Sequence, residues 1–350
     1  MRALALLVLT LLTGCRAPLV RHEFARAAMG TEFRLVFYAP DAASAERAAA
    51  AAFTRIEALD AALSDYRAES ELACLGRTSD GPCPTDWTLI SHELALVLAE
   101  AEDVARASGG AFDVTVGPLV ELWRRARRQG ELPTAERLAT ARAAVGWRAL
   151  ELDRTRGAVR LLAPRMRLDL GGIAKGYALD AALAELADQG IERALIDGGG
   201  DLLAGAPPPG VRGWRVAISG LDSADPGADR AAAYFELAHA ALATSGDLER
   251  SFELAGVRYS HILDPRSGLA LTEQRLVSVL APNGMSADAW ATALSVLGPE
   301  GLALVAERAG FSARIVAASA AGLDVFGSGS FSAALSCATP ARSGPGAQNP

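Results

Sequence analysis

Apolar and polar positions recur with two different periods along this chain, and the two periods predict a mixture of strands and helices. Alternation of apolar and polar residues, or a short apolar run, predicts strands over 33–38, 148–152, 158–162, 166–170, 193–197, 214–218, 234–237, 257–263, 276–281 and 312–318. A helical period of about 3.6 residues predicts helices over 41–63, 92–108, 134–144, 176–190 and 299–309. No internal repeat is evident. The order of elements predicts an α+β (mixed α/β) fold.

Composition and charge narrow the class of protein. The chain has 350 residues, of which 51% are hydrophobic, so it is long enough to bury a large core as one domain or as two intimately packed ones. The formal net charge of −7 argues against a nucleic-acid partner, because such proteins concentrate positive charge. The one basic cluster (Arg124, Arg125, Arg127 and Arg128) is interpreted as a solvated helix face.

The N-terminus has the pattern of an export signal. Residues 1–14 contain one arginine and then an apolar run too short to span a membrane, which predicts a signal peptide. The sequence Leu-Thr-Gly-Cys at 12–15 fits a bacterial lipobox, so Cys15 is predicted to carry a lipid. We therefore expect an exported lipoprotein anchored to the membrane and facing the periplasm, with a tether over 15–24 and a disordered tail over 339–350. No later segment is predicted to cross the membrane.

The other cysteines carry no predicted chemistry. Cys74 and Cys83 flank a short polar loop and are candidates for a local disulfide in an oxidising compartment, although the spacing leaves open whether they pair. Cys337 is left over near the C-terminus. No cysteine spacing suits a zinc site.

Lys175 is the only lysine of the chain, which otherwise uses arginine for every basic residue. It follows the predicted strand over 166–170 and a Gly-Gly turn, and it precedes the predicted helix over 176–190. Such a junction offers backbone N–H groups and a helix dipole to an anion, so a ligand with phosphate groups is expected. The spacing matches neither a Walker loop nor the dinucleotide-binding motif GxGxxG. Chance survival of one lysine is the alternative interpretation.

Three further polar residues are candidates for a functional site. Asp288 and Thr292 are spaced i, i+4 on a predicted helix, so both oxygens point from one face, as a hard cation requires. Helix-dipole stabilisation by the aspartate and back-bonding by the threonine would explain the same spacing. His261 stands between strand residues and an Asp-Pro turn, where a histidine is structural in most proteins. Spacing alone does not decide among these interpretations.

Taken in order, seven motifs resemble those of the ApbE family, the FAD:protein FMN transferases. They are AMGT at 28–31, SDYRAESEL at 64–72, FDVTVGPLVELW at 112–123, DLGGIAKGYALD at 169–180, DGGGDLLAG at 197–205, SGDLER with YSHILDPRSG at 245–250 and 259–268, and ADAWATAL at 287–294. The resemblance covers roughly 25–330. It implies a transferase domain over 25–338, built from sheets flanked by helices, with an FAD cleft between two intimately packed subdomains.

The resemblance also implies a reaction and a set of site residues. FMN would pass from FAD to a threonine or serine hydroxyl of an acceptor flavoprotein, with release of AMP, in a Mg²⁺-dependent step. The positions implied to contact FAD are Met29, Tyr66, Ala111, Phe112, Asp113, Gly171, Tyr177 and Ile262. The implied Mg²⁺ ligands are the carbonyl of Ala174 and the side chains of Asp288 and Thr292, while His261 is assigned as the base and Lys175 as a charge stabiliser.

The sequence departs from the family pattern at two places. Val114 stands where proline is common, and the Arg-rich stretch after Trp123 replaces the usual glycine-bearing continuation. These changes leave the rim of the cleft and the acceptor preference open. Two rival functions remain at this point: an FAD pyrophosphatase, in which water replaces the acceptor hydroxyl, and an FAD-binding lipoprotein without catalytic activity.

Overall fold

The computed structural model describes residues 18–219, 231–246, 251–319 and 322–331. The predicted signal peptide, Cys15, Cys337 and the predicted C-terminal tail lie outside these residues. The helices are α1 (Ala42–Leu63), α2 (Glu71–Thr78), α3 (His92–Ala107), α4 (Gly117–Gln129), α5 (Ala135–Arg142), α6 (Ala174–Asp188), α7 (Gly284–Leu297) and α8 (Leu302–Ala306). Short 3-10 turns cover Trp147–Ala149 and Gly298–Gly301.

The strands are β1 (Val20–Ala28), β2 (Thr31–Ala39), β3 (Thr88–Leu89), β4 (Leu150–Asp153), β5 (Ala158–Leu161), β6 (Ala194–Gly198), β7 (Asp201–Ala204), β8 (Trp214–Ser219), β9 (Ala231–Leu237), β10 (Ala240–Gly246), β11 (Ser251–Leu254), β12 (Val257–Ser260), β13 (Leu263–Asp264), β14 (Leu269–Ala270), β15 (Arg275–Ala281), β16 (Ser312–Ser319) and β17 (Gly322–Gly327). Helices and sheets are both extensive, which confirms the predicted α+β class.

One antiparallel sheet organises the molecule. It has eight strands in the order β1-β2-β6-β7-β10-β15-β16-β17. Successive residues of a strand point to opposite faces, and on β2 Leu35 and Phe37 face the main core with α1, α6 and α7, whereas Val36 faces the opposite side. There the β8–β9 hairpin covers the sheet with Trp214 and Ile218. A smaller sheet, β3-β5-β4, stands apart from the main one.

The long helices begin and end close to their predicted positions. α1 begins one residue after Asp41, whose carboxylate accepts a hydrogen bond from the Ser44 N–H at 2.8 Å. α3 has the same arrangement with Ser91 as its N-cap. Capping side chains satisfy the N–H groups that a helix leaves unpaired at its start. The residue at which each helix begins can therefore be predicted from the sequence.

The predicted tether over 15–24 is wrong from Val20 onward, where β1 begins. β1 pairs with β2 along its whole length, from Val20 opposite Ala39 to Ala28 opposite Thr31. As the edge strand it exposes most side chains and half-buries only alternate ones such as His22 and Phe24. The folded domain therefore begins at Val20 rather than at residue 25.

Two other predictions need correction. The segment 166–170 buries Met166, Leu168 and Leu170, as its alternation predicts, but it is an extended segment with one isolated bridge to Val116 rather than a strand. The predicted helix over 299–309 is shorter, consisting of a 3-10 turn and the five residues of α8.

Cys74 and Cys83 are free thiols in the structure, so the disulfide that the spacing left open is not formed. The Cys74 sulfur instead accepts a hydrogen bond from the Arg77 guanidinium at 3.0 Å.

Among the described residues, one helical stretch, Gly284–Ala306, is long and apolar enough to cross a membrane. More than half of its most apolar window is buried inside the fold, and its first part is α7, which packs against β10 and β15. A helix that is apolar on all sides is found in membrane spans, and it is also found buried in the core of large proteins. We therefore interpret this stretch as a core element.

Candidate active site

α6 and α7 meet backbone to backbone at a pair of glycines. A Cβ atom on Gly176 would lie 2.1 Å from the Gly284 carbonyl oxygen, and one on Gly284 would lie 2.4 Å from the Gly176 carbonyl oxygen. Only glycine permits this approach, because neither backbone can yield without moving a helix. At this contact the Gly176 N–H donates to Oδ2 of Asp288 at 3.1 Å.

Thr292, the second residue of the i, i+4 pair, lies beside the glycine-lysine segment, by which we mean residues 171–176. A Cβ atom on Gly172 would lie 2.7 Å from the Thr292 hydroxyl oxygen. Asp288 and Thr292 thus contact the two ends of the segment 172–176, which contains Ala174 at the start of α6. The fold brings together the three residues that the resemblance assigns to the metal.

Lys175 lies between two buried carboxylates. Its ammonium group pairs with Oδ2 of Asp201 and lies 3.9 Å from Oδ1 of Asp288. The Asp201 and Asp288 side chains are only 4% and 7% exposed. The other Asp201 oxygen accepts the Thr244 N–H at 3.0 Å, which fixes the carboxylate at the start of β7. Two buried carboxyl groups and one half-buried ammonium group are therefore held within a few ångströms of one another.

The electrostatics of this cluster suit a cation. The pKa of Asp288 is raised to about 7, because burial and the negative charge of Asp201 together outweigh the opposing effect of Lys175. A bound cation would relieve that penalty. Among residues 18–219, 231–246, 251–319 and 322–331, no three His, Cys, Asp or Glu side chains converge as metal ligands. The oxygen set of one carboxylate, one hydroxyl and one carbonyl fits a hard ion such as Mg²⁺, which keeps several waters.

The N-terminus of α7 is anchored from two other helices. Asp180 on α6 accepts the Gly284 and Met285 N–H groups at 2.6 and 2.8 Å. The Ser286 hydroxyl donates to Glu100 on α3 at 2.7 Å. The two bonds to Asp180 satisfy N–H groups that the helix start leaves unpaired, and all three bonds fix the helix that carries Asp288 and Thr292.

Tyr66 borders a cleft of about 330 Å³, whose lining also includes Asp65, Arg124, Leu168 and Asp169. Tyr66 is 78% exposed. Gly171 is exposed as well, and its N–H donates to Oδ1 of Asp169 at 2.8 Å. Of the positions implied to contact FAD, these two are the most accessible to a ligand.

The 111–113 positions lie deeper. Ala111 packs with Ile262 in a small buried cluster, and Phe112 belongs to the main core. Asp113 is buried with its pKa raised by burial, and its carboxylate accepts the Thr115 and Trp147 N–H groups, each at 2.8 Å. In this structure the Asp113 carboxylate therefore stabilises the local backbone through these two bonds.

The remaining predicted residues occupy three further places. Met29 lies in the β1–β2 turn with a left-handed backbone, at φ 49°. Tyr177 is buried on α6, and burial raises the pKa of its hydroxyl. His261 is exposed between buried Ser260 and Ile262, and the Ile262 N–H donates to the Ser260 hydroxyl at 3.0 Å.

The local sequence does not indicate the roles of Asp201 and Asp180. Asp201 follows three glycines, a pattern that indicates tight backbone packing, and its partner Lys175 lies 26 residues away. The ion pair becomes visible only when β7 and α6 are placed side by side.

The family model of the ApbE family matches residues 29–315. The chain belongs to the ApbE family. A relative in Vibrio cholerae, named FAD:protein FMN transferase, is 33% identical over 340 residues, covering 95% of this chain and 98% of that protein. Its match extends the family assignment to nearly the whole chain.

Two solved structures show the same fold. The flavin transferase ApbE from Vibrio cholerae superposes with a TM-score of 0.77 at 29% identity, covering 90% of this chain and 99% of that one. The apo form of the Pseudomonas stutzeri flavinyl transferase ApbE also gives 0.77, at 31% identity, over 90% and 96% of the two chains. The predicted ApbE-like fold is thereby confirmed.

Proposed function

We propose that this protein transfers FMN from FAD to a threonine or serine hydroxyl of an acceptor flavoprotein and releases AMP, in a Mg²⁺-dependent reaction. The observation that carries the proposal is the placement of Lys175 between the buried carboxylates of Asp201 and Asp288 at the α6–α7 contact. Membership of the ApbE family and relatives named FAD:protein FMN transferase support the transferase class.

Asp288, Thr292 and the Ala174 carbonyl would hold the Mg²⁺ ion. The ion would neutralise part of the pyrophosphate charge of FAD. Lys175 would add a positive charge to the same region, where water is largely excluded and charge stabilisation is correspondingly strong. Phosphoryl transfer depends mainly on such positioning and charge stabilisation.

His261 would act as the base. It would take the proton of the acceptor hydroxyl while the oxygen forms a bond to the FMN-side phosphorus, and the bond from that phosphorus to the AMP oxygen would break. An imidazole titrates near neutral pH, and the exposed position of His261 leaves it accessible to a protein substrate. We expect His261→Ala to abolish transfer and to leave FAD binding largely intact. Retained turnover would remove the role.

We also propose export and membrane anchoring through a lipid on Cys15, which would place the site beside exported or membrane-bound acceptors. The lipobox pattern at 12–15 supports this, and only four residues separate Cys15 from the start of β1. Cys15→Ala should move the protein from the membrane fraction to the soluble fraction. An unchanged distribution would argue against the anchor.

The function is tested by incubating a form that begins at Arg16 with FAD, Mg²⁺ and a candidate acceptor subunit. This form retains the whole of β1. Flavin fluorescence on the denatured acceptor, together with AMP, supports the transferase. AMP with free FMN and an unlabelled acceptor would indicate a pyrophosphatase, and bound but unconverted FAD would indicate storage.

A further inference from the structure

Arg124 makes three contacts outside its own helix. One guanidinium nitrogen lies 2.7 Å from Oδ2 of Asp65, and another lies 3.5 Å from Oδ2 of Asp169. The carbon at the centre of the guanidinium lies 4.4 Å from the centre of the Tyr66 ring, over its face. We call these four residues the Arg124 bridge.

The bridge joins two segments that border the cleft. Tyr66 lies on the connection between α1 and α2, whereas Asp169 accepts the Gly171 N–H and its own N–H donates to the Val114 carbonyl, both at 2.8 Å. Arg124 therefore ties the exposed tyrosine to the start of the glycine-lysine segment. Side chains 59 and 45 residues away along the sequence meet at one cation.

The neighbouring arginines of α4 provide a contrast. Arg125 is exposed, and its guanidinium donates to Gln129 one turn further along the same helix, at 2.9 Å. Arg125 therefore agrees with the interpretation of the basic cluster as a solvated helix face. Arg124 is half-buried instead, and both of its carboxylate partners are mostly covered. Solvation of a helix face does not explain such an arrangement.

We infer that Arg124 is a positioning residue that pre-orients Tyr66 for flavin binding, an inference that rests on the proposed function. A long exposed aromatic side chain loses rotamer freedom when a ligand stacks on it, and fixing the ring beforehand removes that loss from the binding free energy. Arginine suits the task because its planar fork stacks on an aromatic ring while pairing with carboxylates. The bridge also sets the distance between Tyr66 and the segment that begins at Gly171.

The test is a double-mutant cycle on the full-length protein in detergent, with FAD affinity measured by quenching of flavin fluorescence. We expect Arg124→Met to raise the FAD dissociation constant about fivefold, the equivalent of one freed side chain. The KM for FAD should rise in parallel, while kcat changes less than about twofold. Arg124→Lys should restore part of the affinity, and the matched control Arg125→Met should bind FAD as the wild type does.

The decisive comparison uses the Tyr66→Ala background. If Arg124 acts through Tyr66, then Arg124→Met has no further effect on FAD affinity in that background. Equal losses in both backgrounds, or no loss in either, would overturn the inference. Thermal unfolding checks that each variant is folded, and Arg124→Lys replaces Arg124→Met in the cycle if the latter is not. A wild type that fails to bind FAD would instead refute the proposed function, and the inference with it.

Discussion

The contact between Gly176 and Gly284 offers a direct test of how the site is built. In Gly176→Ala the new methyl group would lie 2.1 Å from the Gly284 carbonyl oxygen, 2.5 Å from its carbonyl carbon and 2.9 Å from the Asp288 Cβ. Both helices must move apart, since the nearest atoms belong to main chain. Inserting atoms into a packed contact destabilises by about 1–3 kcal/mol, and here we expect at least the upper value. Alanine recovers about 1 kcal/mol through its better helix propensity.

The expected net loss is therefore about 2 kcal/mol in the free energy of unfolding. Urea denaturation should show a lower midpoint with an unchanged m-value. FMN transfer should fall as well, because the Gly176 N–H moves away from Asp288. Gly76→Ala in α2 is the matched control, since its nearest contact is a flexible atom, the Arg167 Cδ at 3.2 Å. The reasoning is refuted if Gly176→Ala is as stable and as active as Gly76→Ala.

Two further predictions concern buried carboxylates. Burial raises the pKa of Asp180 to about 6, so its stabilising contribution is complete below about pH 4 and is lost as the pH rises through 6. Relative to Asp180→Asn, the wild type should lose about 3 kcal/mol in the free energy of unfolding between about pH 4 and 7. If the urea midpoints of the two proteins instead change in parallel over that range, the prediction is contradicted. Asp201→Asn should release Lys175 toward Asp288, only 3.9 Å away, and raise the Mg²⁺ concentration for half-maximal transfer without changing FAD affinity. Asp197→Asn is the control, because its side chain accepts the Gly200 N–H instead, and an equal Mg²⁺ requirement in both variants would argue against the role of Asp201.

How much of this fold was predictable depends on whether the information is local. The bounds of α1 and α3 follow from apolar periodicity and from the caps Asp41 and Ser91, which act within one helical turn. β1 was missed because an edge strand buries little on either face, so its alternation is weak. The segment 166–170 has the burial pattern of a strand, yet its surroundings supply only one bridging partner.

The site shows the same division. The spacing of Asp288 and Thr292 is local, so sequence reasoning found the pair and the fold brought it to the glycine-lysine segment. The roles of Asp201, Asp180 and Arg124 depend on partners between 26 and 105 residues away, and no local pattern distinguishes Arg124 from Arg125. Such residues become visible only when the elements are packed together.

The most direct test of the proposed reaction is the intact mass of an acceptor subunit after incubation with FAD and Mg²⁺, compared between the wild type and Asp288→Ala. The variants are compared at FAD concentrations that saturate each. We predict that the wild type adds one FMN phosphoester to the acceptor, and that Asp288→Ala binds FAD but adds none. Equal labelling of the acceptor by both proteins, or by the wild type after all divalent metal has been chelated, would contradict a Mg²⁺-dependent transferase built on Asp288.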